Sequence, residues 1–165
     1  MSDLIQIVDE GDQLIAHKNR AEVDYEHDIY RVAALWLTNS RNEVLIAQRK
    51  LTKDKDPGKW GPAVAGTVDE GEEYESNIIK ETEEEIGITG LSLDLGPKQF
   101  ITEPRKYFLQ WFLAESDLPE ESFTPQESEV EKVKWINVGE LIKDVTQNPQ
   151  QYVPVFPAAI KELVK

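Results

Sequence analysis

Residues 66–88 constrain this chain more than any other segment: Gly66, five residues, Glu72, seven residues, then Lys80-Glu81-Thr82-Glu83-Glu84-Glu85-Ile86-Gly87-Ile88. The pattern predicts a helix over Tyr74–Ile86 with Gly87 as its C-terminal stop. At about 100° per residue, Ile78, Thr82 and Ile86 form an apolar stripe joined by Ile79, and Glu81, Glu84 and Glu85 share a neighbouring arc. Like charges at i,i+3 and i,i+4 cost roughly a few tenths of a kcal/mol per pair. Three converging carboxylates therefore need either a solvated face or a cation that offsets the repulsion. Magnesium suits the second role, since it takes hard oxygen ligands and completes its octahedron with water and substrate phosphate. Gly66 follows the apolar run Ala63-Val64-Ala65, at an expected strand-to-loop position where a backbone carbonyl can come close to an ion.

The same intervals resemble the Nudix box: Gly, five residues, Glu, seven residues, then Arg-Glu-apolar-any-Glu-Glu-any-Gly-apolar. The chain keeps the glycines and all four glutamates and departs twice, with Lys80 in place of arginine and Thr82 in place of an aliphatic residue. The resemblance implies an α/β fold, a Nudix-type α-β-α sandwich with a mixed β-sheet, the box forming loop-helix-loop and metal held along the helix. It also implies hydrolysis, in which a metal-activated water attacks phosphorus in a diphosphate bridge. Glu81 and Glu85, one turn apart, are the first expected metal ligands, then Glu84 and the Gly66 carbonyl, with Mg2+ as the metal and Mn2+ as a substitute. Glu72, Lys80 and Gly87 are expected to support the box. A lysine supplies a point charge where arginine supplies a fork, so its bracing should be looser. The base that activates water is either a box glutamate or an acid from a later loop, for which Glu129 is the candidate; solvation also explains Glu129, which lies between Glu127 and Glu131.

Weaker matches choose a branch. Val8-Asp9-Glu10, Tyr30-Arg31-Val32-Ala33, Gln48-Arg49-Lys50 and Pro57-Gly58-Lys59-Trp60 are similar to isopentenyl-diphosphate isomerases and their hydrolase relatives. Isomerase chemistry in that branch needs a cysteine just before the box glycine and a set of metal-binding histidines. Here those positions hold Ala65, Thr67 and the neighbourhood of Tyr30, and the two histidines, His17 and His27, lie in polar surroundings that predict surface positions. The expected substrate is a nucleoside di- or triphosphate or another nucleoside diphosphate derivative. A non-catalytic nucleotide sensor or interaction module is the alternative, although such modules usually carry a damaged box.

Arg49 to Lys59 forms a positive island, with Arg49, Lys50, Lys53, Lys55 and Lys59 against Asp54 and Asp56. Arg49, at the end of a predicted strand, is the expected phosphate contact, with Lys59 beside it; a solvated basic loop accounts equally well for the lysines. Trp36, Trp60, Tyr107, Phe108 and Trp111 offer a ring for base stacking, but aromatic residues at strand positions usually pack into a core.

The 165 residues, 39% of them hydrophobic, suit one compact domain over 1–165. Its expected elements are an N-terminal hairpin (4–17), strands at 31–38, 43–49, 98–102, 107–114 and 132–136, and C-terminal helices at about 138–146, capped by Asn137, and 157–164, opened by Pro157. Residues 90–97 read as a connection and 118–131 as a surface loop. The absence of cysteine excludes disulfides, thiolate metal sites and cysteine nucleophiles, and fits a cytoplasmic location. A net charge of -14 argues against binding nucleic acid or anionic membrane and leaves small diphosphates, held as metal complexes, as partners. A homodimer stays open.

Overall fold

The computed structural model describes residues 3–164. Nine strands, β1 (Leu4–Val8), β2 (Leu14–Asn19), β3 (Ile29–Thr38), β4 (Glu43–Arg49), β5 (Trp60–Pro62), β6 (Val64–Thr67), β7 (Asp94–Ile101), β8 (Lys106–Glu115) and β9 (Val130–Asn137), are accompanied by helices α1 (Tyr74–Ile86), α2 (Val138–Gln147) and α3 (Phe156–Leu163).

β3 organises the sheet. One edge runs parallel to β8 over its whole length, from Ile29 opposite Lys106 to Thr38 opposite Glu115. Its other edge is shared in turn by β1, by β6 over Val32 to Leu35, and by β4, all antiparallel. β3 and β4 pair only at Thr38 and Val44, so the two strands diverge beyond their hairpin, and β4 carries its own partners β5 and β9. The cavity described below lies between these diverging arms.

Alternation along the buried strands builds two cores. Ala33, Leu35 and Leu37 face the layer that contains Ile78 and Ile86 of α1, whereas Ala34 and Trp36 face Leu141, Phe156 and Ile160 of α2 and α3. Strands buried on both faces read as near-continuous apolar runs because each side chain has a helix layer to meet. The result is the α-β-α sandwich about a mixed sheet.

Local chemistry sets the ends of α1. The Glu73 N–H donates to Ser76 Oγ at 2.9 Å, and Gly87 takes the left-handed conformation at φ 74°, its N–H returning to the Glu83 and Thr82 carbonyls. Thr82 is buried, with its hydroxyl donating to the Ile78 carbonyl at 2.6 Å. That bond explains how a hydroxyl occupies the aliphatic position of the box. Ile79 does not join the stripe; it is 53% exposed, on the flank of the helix away from the sheet.

One further expectation is corrected and another gains detail. β7 begins at Asp94, so part of the expected 90–97 connection is strand, paired with β8. The acidic 118–131 segment is anchored by buried Phe123, by Thr124 N–H to the Ile86 carbonyl at 2.9 Å, and by Gln126 N–H to the Glu85 carbonyl at 2.8 Å. Its polar composition conceals that it satisfies orphan carbonyls at the C-terminus of α1. Asn137 accepts the Glu140 N–H at 3.2 Å to cap α2, and Pro157 lies in the first turn of α3. Among the described residues no helix is long and apolar enough to cross a membrane.

Candidate active site

A cavity of about 850 Å3 opens between the arms of the sheet. One end is acidic, lined by Glu81, Glu84 and Glu85 of α1, by Glu129, and by Ala65 and Gly66 of β6. Gly66 lies within β6 rather than beyond it, and Glu81 packs directly over its Cα, with no room for a side chain between them. Glu81 and Glu85, one turn apart, lie close enough for one carboxyl, when protonated, to hydrogen-bond to the other. Burial, then the hydrogen bond and charge of Glu81, then Glu129 hold Glu85 well above the usual carboxylate range, although the Ala65 N–H pulls the other way. Burial likewise raises Glu81, partly offset by Glu85 and Lys80.

Glu84 faces the same cavity but is more exposed, and the three α1 carboxylates do not close to within 4.8 Å of one another. Among the described residues the single grouping that tight is Asp24, Glu26 and His27, all exposed. It is a turn clasp: Asp24 accepts the Glu26 N–H at 3.0 Å and meets His27 Nδ1 at 2.8 Å. The α1 site is the better fit for a hard divalent cation. Its donors are carboxylate oxygens, and the desolvation of Glu81 and Glu85 side by side raises both carboxyls, a cost that a cation between them would relieve. Glu81, Glu85 and, after rotation, Glu84 would hold the ion.

The box loop is clamped from both sides. Lys80 Nζ meets Glu72 Oε2 at 2.8 Å, Asp69 Oδ2 at 3.1 Å and Glu81 Oε1 at 3.7 Å. Partial burial pulls the ammonium down, but its hydrogen bonds to Glu72 and Asp69 outweigh this and raise it above the usual lysine range. Glu72 also accepts the Asp69 N–H at 2.8 Å and Asn77 Nδ2 at 3.1 Å; these bonds and Lys80 lower its pKa in spite of burial. Sequence reasoning missed Asp69, which is 2% exposed and is also bound by Arg20 at 2.5 Å, because its partners lie 49 and 11 residues away. It missed Gln6 for the same reason: buried on β1, Gln6 donates to the Asp69 and Glu72 carbonyls at 3.0 and 2.7 Å.

Replacing Lys80 by Met leaves Glu72 without its cation and Asp69 with Arg20 alone. The expected loss is about 2 kcal/mol of folding stability, below the value for a fully buried pair because Lys80 retains some solvent contact. Glu72 is depressed in the folded state, so this contribution is present above the ordinary glutamate value of about 4.3 and is lost as pH falls through the lower folded value. Urea midpoints of Lys80→Met and wild type should therefore differ at neutral pH and converge in acid.

The other wall is cationic. Glu129 Oε2 pairs with Lys53 Nζ at 2.5 Å, which brings a positive charge beside the carboxylates. Arg49 lines the cavity with its Nε donating to the Lys55 carbonyl at 2.8 Å. Lys59 is not part of this wall. It faces a smaller hollow with Gln48 and Trp60 and lies 3.8 Å from Asp56. Trp36, Phe108 and Trp111 are buried, whereas Tyr107 lines the cavity. Trp60 stands under Lys134, 4.4 Å from ring centroid to ammonium.

Helix layers on a mixed sheet, with glutamates of a glycine-flanked helix facing a cavity, define a hydrolase fold of one class. The NUDIX domain family matches residues 29–157, and the chain belongs to that family. An uncharacterised Nudix hydrolase of Pseudomonas aeruginosa is 35% identical over 119 residues, covering 72% of this chain and 70% of that one. A prenyl-diphosphate phosphatase of Methanosarcina mazei is 27% identical over 163 residues, covering 98% and 95%. The fold matches the crystal structure of a Deinococcus radiodurans protein with a TM-score of 0.82 at 19% identity, over 96% of this chain and 97% of the other. Nudix enzymes generally use divalent metals.

Proposed function

We propose that the chain acts as one Nudix domain and hydrolyses a diphosphate linkage, with Mg2+ or Mn2+, in a nucleoside di- or triphosphate or a related nucleoside diphosphate derivative. The observation that carries this reading is the pairing of Glu81 with Glu85 in a cavity whose facing wall is cationic. A bound divalent cation supplies Lewis acidity toward the phosphoryl oxygens and water. The chain's own residues do the rest. Glu81 and Glu85 hold the acidic end, Gly66 lets Glu81 lie flat on β6, and Arg49 and Lys53 face the charge on the nonbridging oxygens. Glu129, tied to Lys53 and with its charge acting on Glu85, is the residue we assign to take a proton from the attacking water.

The test is phosphate or pyrophosphate release from nucleoside triphosphates, nucleoside diphosphates, nucleotide sugars, dinucleotides and isopentenyl diphosphate, with magnesium, manganese or EDTA. Metal-dependent release from a nucleotide is expected; ligand binding without release from any substrate would point to a sensor instead. Glu129→Gln should lower turnover by about a hundredfold or more, the size of a lost general base, while metal-induced thermal stabilisation persists. Unchanged turnover would remove Glu129 from the reaction.

A second reading takes a prenyl diphosphate as substrate. It draws on the full-length likeness to the Methanosarcina phosphatase and on the apolar stretch of cavity wall made by Val153 and Val155. Isomerisation gains nothing from the site, since Ala65 lines the cavity where that chemistry would need a thiol.

A further inference from the structure

The cavity is larger than a diphosphate needs, at the upper end of the range for small-molecule sites, and its far end is built differently from the part used above. Five cationic side chains line it. Arg20 is paired with Asp69 and Lys53 with Glu129, whereas Arg49, Lys55 and Arg105 have no carboxylate in ion-pair reach among the described residues. Asp56 and Glu103 are the acids at that end; Asp56 is turned to Lys59 at 3.8 Å. In a chain of net charge -14, cations left together without acidic partners are out of keeping with the rest of the surface.

Their placement is specific. Lys55 comes from the β4–β5 loop and Arg105 from the β7–β8 turn, which the topology brings to one rim. The Arg105 guanidinium lies 3.7 Å from the Tyr25 ring centroid, and Tyr25 in turn packs edge-on against Tyr30 at 5.8 Å. Arg105 also reaches the Tyr30 hydroxyl, so two aromatic side chains hold the guanidinium at the rim and its remaining N–H groups can meet a planar or tetrahedral oxyanion. Lys55 is exposed at the rim; desolvation by the surrounding protein, then the charges of Arg105 and Arg49, push its ammonium below the usual lysine range against the opposing pull of Asp56. The charges that act most on Lys55 are those of Arg105, Asp56 and Arg49, all of them on the same wall of the cavity.

We propose that Lys55 and Arg105 form a second anion subsite, which takes a phosphomonoester carried by the group on the far side of the scissile diphosphate. The subsite rests on the hydrolase reading only for the identity of the other end. The substrate class is then a diphosphate whose appended group is itself phosphorylated, which sets it apart from a simple prenyl diphosphate. Arg105 and Lys55 would discriminate among substrates by reading that extra charge, since a site built to bind an oxyanion loses affinity when the oxyanion is missing.

The test begins without metal. Inorganic phosphate is titrated calorimetrically in EDTA into wild type, Lys55→Gln, Arg105→Gln, Arg49→Gln and Glu85→Gln. One phosphate is expected to bind wild type and Glu85→Gln alike, and at least about tenfold more weakly to the Lys55 and Arg105 variants. No binding to wild type, equal binding to both of those variants, or loss confined to Arg49→Gln would overturn the subsite. With magnesium and the Glu85→Gln protein, coenzyme A and dephospho-coenzyme A then compare ligands that differ by one phosphomonoester. Preference for coenzyme A by about tenfold, erased by Arg105→Gln, is expected; no preference overturns the doubly anionic substrate. Because these readouts are binding, absence of turnover in wild type would defeat the hydrolase reading alone.

Discussion

Glu85→Gln should abolish turnover, by about a thousandfold or more, and at the same time stabilise the metal-free protein. The two effects have one cause. Glu85 is the site's most perturbed carboxylate, driven up first by burial and then by Glu81 and Glu129, so in the absence of metal its ionised form opposes the fold. A folded-state pKa above the unfolded value means that the folded chain binds the proton more tightly. Stability is therefore fully present below the ordinary glutamate value of about 4.3 and is lost as pH rises through the higher folded value. Gln is neutral at every pH and keeps most of the shape. It removes that dependence and raises the metal-free melting midpoint near neutrality.

The same substitution takes away one of two closely paired donors, so magnesium should stabilise wild type strongly and the variant weakly, and the activated water should lose its setting. Melting curves over pH with EDTA or magnesium, beside a turnover assay, check both halves. A variant that loses activity but is also less stable without metal would show that Glu85 serves the fold and would contradict the site.

Which parts of this site are legible in the chain follows from how far apart the interacting residues are. Glu81 and Glu85 are four residues apart on a helix whose ends are marked by Gly87 and a serine-assisted start, so both their contact and the bounds of α1 are set locally. Glu84 shares the arc but not the depth, because helical periodicity gives direction around the axis and says nothing about how far β6 reaches along it. Ile79 failed as a core residue for a related reason. The buried stripe is set by the width of the sheet beneath it, and that sheet meets Ile78, Thr82 and Ile86.

Long-range placements were illegible. The parallel pairing of β3 with β8 joins segments 77 residues apart, and it is this pairing that brings the β7–β8 turn, with Arg105, to the rim of a cavity whose other cations without a carboxylate partner are Arg49 and Lys55. Within its own segment, Arg105 reads as a polar turn residue. Asp69 and Gln6 likewise carry no local pattern, yet they fix the loop that positions Lys80 and Glu72.

Gly66→Ala isolates the geometric part of the site from its charge, and should cost about a hundredfold in turnover while leaving a folded protein. A Cβ at residue 66 would stand 2.7 Å from Cδ of Glu81 and closer still to its Cγ, inside any distance that real contacts adopt. Gly66 sits in β6, paired with Ala33 on β3, and its φ lies outside the left-handed region, so the backbone itself accepts alanine. The strain falls on Glu81. Either its side chain leaves a preferred rotamer, at a cost of order 1 kcal/mol, or it swings away from Glu85 and the pair that would hold the cation is broken. Gly71→Ala is the control: Gly71 has φ 82° and nothing within 4 Å, so alanine there costs backbone strain of roughly 1–2 kcal/mol without touching the carboxylates. The two variants should separate cleanly, with Gly66→Ala losing metal affinity and turnover at a modest cost in melting midpoint and Gly71→Ala losing midpoint with turnover intact. Full activity in Gly66→Ala would mean that Glu81 works from a different position, and that the close approach of α1 to β6 is packing alone.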